Sequence, residues 1–309
     1  MNPVTTTIGA SFAGIVLAIA VEWLSGRERH LLQLPPLTVK SRGLRGVIIV
    51  MATAILFGLY HWGCLDLRCL ETAEVQPSGW GQNWRFAYHL VLLGLLIVAT
   101  AIDFDCYMIP DGITIPGMLI GVIGACLIGE VQICHLWVDW SMAVPQICGP
   151  LIPAWYDSHR FWHALGWSLA GLSTGAGLTW LARKISSQVL GQEAMGFGDV
   201  TLMAMIGSFL GWQAVTLVFL IAPLTGLTIG VLVRTLSGKT YLPYGPWLSI
   251  ATVIVLFTWS QLWRLTRLVF SDWLSVTTLA LIGGVGFVLL LWLVQLYKAI
   301  PTRERSAAK

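Results

Sequence analysis

Charge is scarce in this chain. Of 309 residues, 11% are Asp, Glu, Lys or Arg, against roughly a quarter in ordinary soluble domains, which excludes a soluble globular fold. Cysteines at zinc spacing are missing too: six are present, none in a Cys-x-x-Cys pair, so no structural zinc module is expected. The stretch MNPVTTTIGASFAGIVLAIAVEWL has no basic opening and no clear small-residue cleavage site, so it reads as a first membrane span rather than a removed signal. Repeats, heptads and low-complexity segments are absent. The net charge of +3 comes from residues scattered among loops, with no basic stripe that would fit nucleic acid.

What fills the chain is apolar. Hydrophobic residues make up 56% and 16 residues are Trp, and apolar runs recur at about the 20 residues that a helix needs to cross a bilayer. The reading is an all-α polytopic membrane protein with spans near 4–24, 46–65, 86–104, 112–130, 163–182, 199–212, 214–233, 244–263 and 276–297. The sixth is short enough to be half-embedded, so eight or nine spans are expected. Three regions follow: 1–85 with a basic loop at 25–45, a membrane core at 86–262, and a last span with a basic tail at 263–309.

Lys and Arg concentrate in cytoplasmic loops. With nine spans, Arg27, Arg29, Lys40, Arg42, Arg45, Arg183, Lys184, Arg234, Lys239 and the basic tail share one side, while Arg68, Arg85, Arg160, Arg264 and Arg267 take the other. The chain is therefore expected to start outside and end in the cytoplasm. Cys64, Cys69, Cys134 and Cys148 map to the outer side, where disulfides can form; free, small apolar thiols are the equal alternative, and the pairing is open. His159 and His163 stand four apart without a third ligand nearby, so a chance pair outweighs a metal site.

Two acidic features fall on the expected cytoplasmic side. In VLLGLLIVATAIDFDCYMIPDGITIPG, Pro110 and Gly112 are expected to stop the helix, leaving Asp103 just inside the membrane boundary while Asp105 and Asp111 reach water. In AMGFGDVTLMAMIGSFLGW, Gly196 and Gly198 allow a tight bend, and Asp199 is read as the N-cap of the following helix. Acids at such depth need a partner or a polar cavity and are candidates for function; interfacial capping is the plain alternative. Held a few ångströms apart, two carboxylates share one proton, so that one serves as base on water and the other as acid. Glu22 is either interfacial or part of a polar site.

At these residues the chain resembles a known family. Asp103 with Ile109-Pro110-Asp111, then Gly196-Phe197-Gly198-Asp199 with Val200 and Leu202-Met203-Ala204, then YLPYGPWLSIA around Pro243, Gly245 and Pro246, is similar to the type IV prepilin peptidases, the bacterial branch of the Gly-x-Gly-Asp intramembrane aspartic proteases. The resemblance covers about 86–260. It implies Asp103 and Asp199 as catalytic aspartates, Asp105 and Asp111 as supporting residues that hold the turn or attract a basic leader, and glycines that make room for a substrate backbone. It also implies prepilins or pseudopilins as substrates, cut after a glycine at the cytoplasmic face of the bacterial inner membrane, with the lipid bilayer as the other partner. Hydrolysis on this scheme needs no cofactor. S-adenosylmethionine would enter only with methyl transfer, which the cysteine-free loop SGRERHLLQLPPLTVKSRGLRG argues against. A lysine common after the Gly-x-Gly-Asp-Val block is Thr201 here, and 131–162 is long for the family, its Trp and Tyr expected at the outer interface. A transporter using both acids as a proton relay is the second reading, but it predicts polar residues continuing through the membrane, where the flanking spans turn apolar. A catalytically dead scaffold would not need both acids kept with their glycines.

Overall fold

Helices account for nearly all of the described chain, as expected where no water is available to satisfy backbone groups. A computed structural model describes residues 3–35, 38–140, 152, 155–191, 193, 195–237 and 243–299. In order come α1 (Pro3–Leu31), α2 (Val39–His61) running into a π-turn at Trp62–Asp66, α3 (Gly79–Cys106), α4 (Asp111–Ile128), the short α5 (Trp155–Ser158), α6 (Arg160–Leu190), α7 (Phe197–Ser237), α8 (Gly245–Ser271) and α9 (Trp273–Ala299). Seven of them, α1 to α4 and α7 to α9, are long and apolar enough to cross a membrane. The expected eight or nine spans count α6, whose Gly, Ser, Thr and basic residues keep it out of that set, and divide α7 in two.

α7 does bend where the division was expected. Gly211 sits at φ 80°, ψ 171° and interrupts the helix, a backbone state that suits glycine. Before the bend, Gly207 lies against the Gly171 backbone of α6, and Gly175 faces Met203. The absence of side chains lets the two helices touch backbone to backbone. After the bend, Val215 lies 3.1 Å from where a Cβ on Gly175 would be, and Thr225 donates to Trp247 O at 3.2 Å. The second arm therefore runs back beside the first, returning the chain to the level of Asp199.

The first arm of α7 is the centre of the bundle. Leu202, Met203, Met205, Ile206, Phe209 and Leu210 have no solvent exposure, and 72% of the apolar window of α7 is buried inside the protein, against 6% for α9 at the periphery.

At the end opposite Asp199 the connecting segments are pinned by indoles. Trp140 Nε1 and Trp263 Nε1 both donate to Glu74 Oε1, at 2.7 and 2.8 Å. Trp259 Nε1 donates to Ile133 O and Trp212 Nε1 to Leu136 O, each at 2.8 Å. Part of the long segment thus has a structural job, and Trp140 is buried in a hydrogen-bonded cluster instead of resting at an interface. Replacing Glu74 with Ala strips the acceptor from two buried indoles at about 1–3 kcal/mol each. The expected result is a clearly lower unfolding temperature in detergent, while Glu74→Gln, which keeps one acceptor oxygen, falls less. Cys64, Cys69 and Cys134 are buried free thiols; Cys148 lies outside the described residues.

Candidate active site

Three chain segments far apart in sequence converge at one end of the bundle. α3 closes earlier than Pro110 and Gly112 would require. Tyr107 adopts the left-handed conformation (φ 53°) and its N–H donates to Asp103 O at 2.9 Å. Pro110 is instead the extended N-cap of α4, with Asp111 and Gly112 in that helix's first turn. The turn at 107–110 leaves Ile109 buried at 5% exposure, pointing into the bundle.

Ile109 is the piece on which the other two motifs close. A methyl group on Gly198 would stand 3.0 Å from Ile109 Cβ, and one on Gly245 would stand 2.8 Å from Ile109 Cδ1 and 2.5 Å from Asp103 Oδ2. Gly198 is therefore filled by the protein's own turn, not left open for a substrate backbone. Gly196 is exposed, and a methyl there would meet only ordinary contacts. The isoleucine was visible in the sequence as part of Ile-Pro-Asp, but its role as a wedge between two glycines was not.

The two carboxylates are buried, Asp103 at 4% and Asp199 at 7% exposure, and their segments both close on Ile109, through Gly245 beside Asp103 and Gly198 beside Asp199. Asp103 Oδ2 accepts the Gly245 N–H at 3.1 Å. Asp199 is not the N-cap: α7 begins two residues earlier at Phe197, and the carboxylate reaches back to the Gly196 backbone. That is the third-residue half of a capping box, with Gly196 in the cap position. Asp103 thus rests against a backbone amide from a glycine motif, and charge-assisted bonds of this kind are among the stronger ones.

Pro243 and Pro246 are buried on either side of Tyr244 and Gly245. Pro246 stands in the first turn of α8, where a missing N–H leaves no helical bond unmade. Burial first, and then the charge of Asp199, push the Tyr244 phenol up to about 12, so it stays a protonated O–H. Arg183 of α6, first read only as a basic loop residue, donates to Met195 O at 2.9 Å and steadies the approach to Gly196.

Asp105 does not reach water freely. It forms an ion pair with Arg45 of α2 and accepts from Ser25 Oγ of α1 at 3.1 Å. Arg45 also holds Glu22 at 2.6 Å, which settles Glu22 as a member of this polar cluster. Asp105 thus ties α1 and α2 to the end of α3. Asp111, by contrast, is exposed in the first turn of α4, where the helix dipole favours an acid.

The geometry defines a class: a polytopic helical membrane protein with a buried carboxylate pair at one end, both acids oriented by backbone amides. Comparison then supplies the family. Residues 90–231, the segment that carries both carboxylates, match the type IV leader peptidase family, Peptidase_A24. The chain is similar to proteins named prepilin leader peptidase/N-methyltransferase. That of Pseudomonas putida is 31% identical over 177 residues, covering 54% of this chain and 50% of the relative. That of Pseudomonas aeruginosa is 26% identical over 225 residues, covering 72% and 61%, and that of Neisseria gonorrhoeae 24% over 221 residues, covering 72% and 60%. The chain spans about half the length of the relatives it matches. No solved structure matches it.

Proposed function

We propose that this protein is an aspartic endopeptidase of the membrane that removes the basic leader of prepilins or pseudopilins after a glycine, with Asp103 and Asp199 as its catalytic pair. The observation that carries the reading is the interlock of three separated motifs around two buried carboxylates, with Gly245 giving its amide to Asp103 and Gly198 and Gly245 both closing on Ile109. One carboxylate takes a proton from water as its oxygen adds to the scissile carbonyl carbon, and the other gives a proton to the carbonyl oxygen. The C–N bond then breaks as the leaving amine is protonated. Exposed Asp111 draws the basic leader toward the pair. Arg29, Arg42, Arg45, Arg183 and Lys184 lie on the helix ends near it, which supports a cytoplasmic position for this end, with the N-terminus outside. Membranes co-expressing a prepilin test the reading: the mature pilin is the expected product, and an unprocessed one overturns it.

Methyl transfer is not part of the proposal. The loop between the first two helices carries no cysteine pair, and no step is derived through S-adenosylmethionine. An unmethylated N-terminus is the expected mass of pilin matured by this enzyme alone; a mass 14 Da higher, the increment of one methyl group on an amine, contradicts it.

Asp105→Asn is expected to cost less activity than Asp103→Asn, because its partner is Arg45 and not the substrate. Its main effect is on unfolding temperature, and the added loss of Arg45 in the double variant is smaller than that of Arg45→Gln alone, since a part-buried charge is no longer stranded. Equal activity losses for Asp105→Asn and Asp103→Asn in a processing assay refute this assignment.

A further inference from the structure

Two clefts adjoin between α1 and α2. The first, of about 580 Å³, lies where the helices meet their connecting loop and is lined by Arg29, His30, Arg42 and Arg45. The second, of about 490 Å³, continues along the same pair and is apolar, with Ile15 and Ala18 of α1 facing Val47 and Met51 of α2. Ile19 and Glu22 line both. Charge in the first cleft is not balanced within it. Its carboxylate, Glu22, is held by Arg45 at 2.6 Å, and Arg45 pairs with Asp105 as well. Arg29 donates to neutral carbonyls, Pro35 O at 2.8 and 3.0 Å and Asp105 O at 3.4 Å. No acid pairs with Arg29 or Arg42 among the described residues. The second cleft is kept open by glycines: a methyl group on Gly43 or Gly46 would meet nothing within 4 Å, whereas one on Gly14, where the helices touch, would stand 3.0 Å from Val50 Cα.

We propose that the two clefts together hold one anionic phospholipid, its phosphate between Arg29 and Arg42 and one acyl chain along Gly43 and Gly46. The chemistry along the helix pair runs in the order of a lipid, with charge at the loop end and hydrocarbon beyond it. The length agrees. From Arg42 to Met51 is nine positions of α2, about 14 Å at roughly 1.5 Å per residue, which is one leaflet's share of the roughly 30 Å hydrocarbon core. A zwitterionic headgroup brings its own cation to this place and gains little, whereas a net negative one supplies the charge that Arg29 and Arg42 lack. Guanidinium groups also match phosphate oxygens with paired N–H donors. Trp23, which lines the basic cleft and is 67% exposed, stands where an indole sits best, at the level of the headgroups. Bound there, the lipid neutralises charge that the fold brings together and so stabilises this end of the helix pair.

Native mass spectrometry of the purified chain in detergent, with dioleoylphosphatidylglycerol and dioleoylphosphatidylcholine in equal amounts, reads the selectivity without substrate or proteolysis. Each cationic side chain near an anionic headgroup is expected to contribute about fivefold, so that the two arginines retain phosphatidylglycerol about 25-fold over phosphatidylcholine. The anionic lipid is also expected to raise the unfolding temperature more than the zwitterionic one. Arg42→Gln reduces the preference to about fivefold, and Arg29→Gln added to it leaves the two lipids bound alike, while Arg42→Lys keeps the charge and most of the preference. Gly46→Leu fills the groove and weakens binding of both lipids. Equal retention of the two lipids by the wild-type chain overturns the proposal, and that measurement needs no variant to fold. Unchanged phosphatidylglycerol binding by Gly46→Leu overturns the acyl groove. Soluble glycerol phosphate that raises the unfolding temperature as much as the lipid overturns it too, because the site would then be one for phosphate alone.

Discussion

Asp103→Asn and Asp199→Asn are each expected to reduce leader removal by roughly 10⁴-fold or more, the scale seen when one member of a catalytic unit is removed, while protein level in the membrane stays unchanged. The two losses should not add in the double variant, because either carboxylate is useless without the other. The substitutions are nearly isosteric. Asparagine at 103 still offers an oxygen to the Gly245 amide, and asparagine at 199 fills the same space as the carboxylate, so the fold is not at risk. What is lost is the capacity to take and give a proton. Quantitative immunoblotting of precursor and mature pilin, with total enzyme measured in the same samples, separates the two effects. If either variant processes the precursor at near wild-type rate, the pair has been misassigned.

Gly245→Ala is the second large effect. A methyl group there would press on Asp103 Oδ2 at 2.5 Å and on Ile109 Cδ1 at 2.8 Å, far inside van der Waals distance. The carboxylate has to move away, and the bond from Gly245 N–H to Asp103 stretches with it. Displacement of a catalytic group by about an ångström is enough for roughly 10²-fold in rate, and that is the loss expected in kcat. Helix propensity alone predicts the opposite, since Ala is better than Gly inside a helix by up to about 1 kcal/mol. A fall in kcat with an unfolding temperature held or raised therefore distinguishes a displaced carboxylate from a damaged fold. Shortening the wedge by Ile109→Ala in the same chain gives the methyl room and should restore part of the rate. Failure of both the loss and the rescue would show that this glycine is not holding Asp103 in place.

Much of this protein was legible from its residues. A charge content of 11% with recurrent apolar runs settles a polytopic helical protein, because hydrocarbon admits little else. The three motifs name both acids and the glycines beside them. The division into spans at 199–212 and 214–233 was also expected from the apolar runs, and the structure bends the helix at Gly211.

The rest depends on partners that lie far away in the chain. Asp105 looked free to reach water because Arg45 and Ser25, 60 and 80 residues earlier, come from helices whose relative placement no local pattern encodes. The same holds for Glu74, whose two indole donors are 66 and 189 positions away. Spans that are apolar all round carry no preferred face, so the sequence could say that they cross a membrane but not which of their sides meet. The glycines show the division most clearly. Sequence marked Gly196 and Gly198 as places where the backbone bends tightly and comes close to something, and Gly245 as part of a motif; tertiary packing alone decided that Gly198 and Gly245 meet Ile109. The sequence by itself determined the helical class and its membrane setting, and marked the two acids as candidates. Only the folded chain decided that they meet, since bringing Asp103 and Asp199 together takes a wedge, two bare backbones and a helix that doubles back at Gly211.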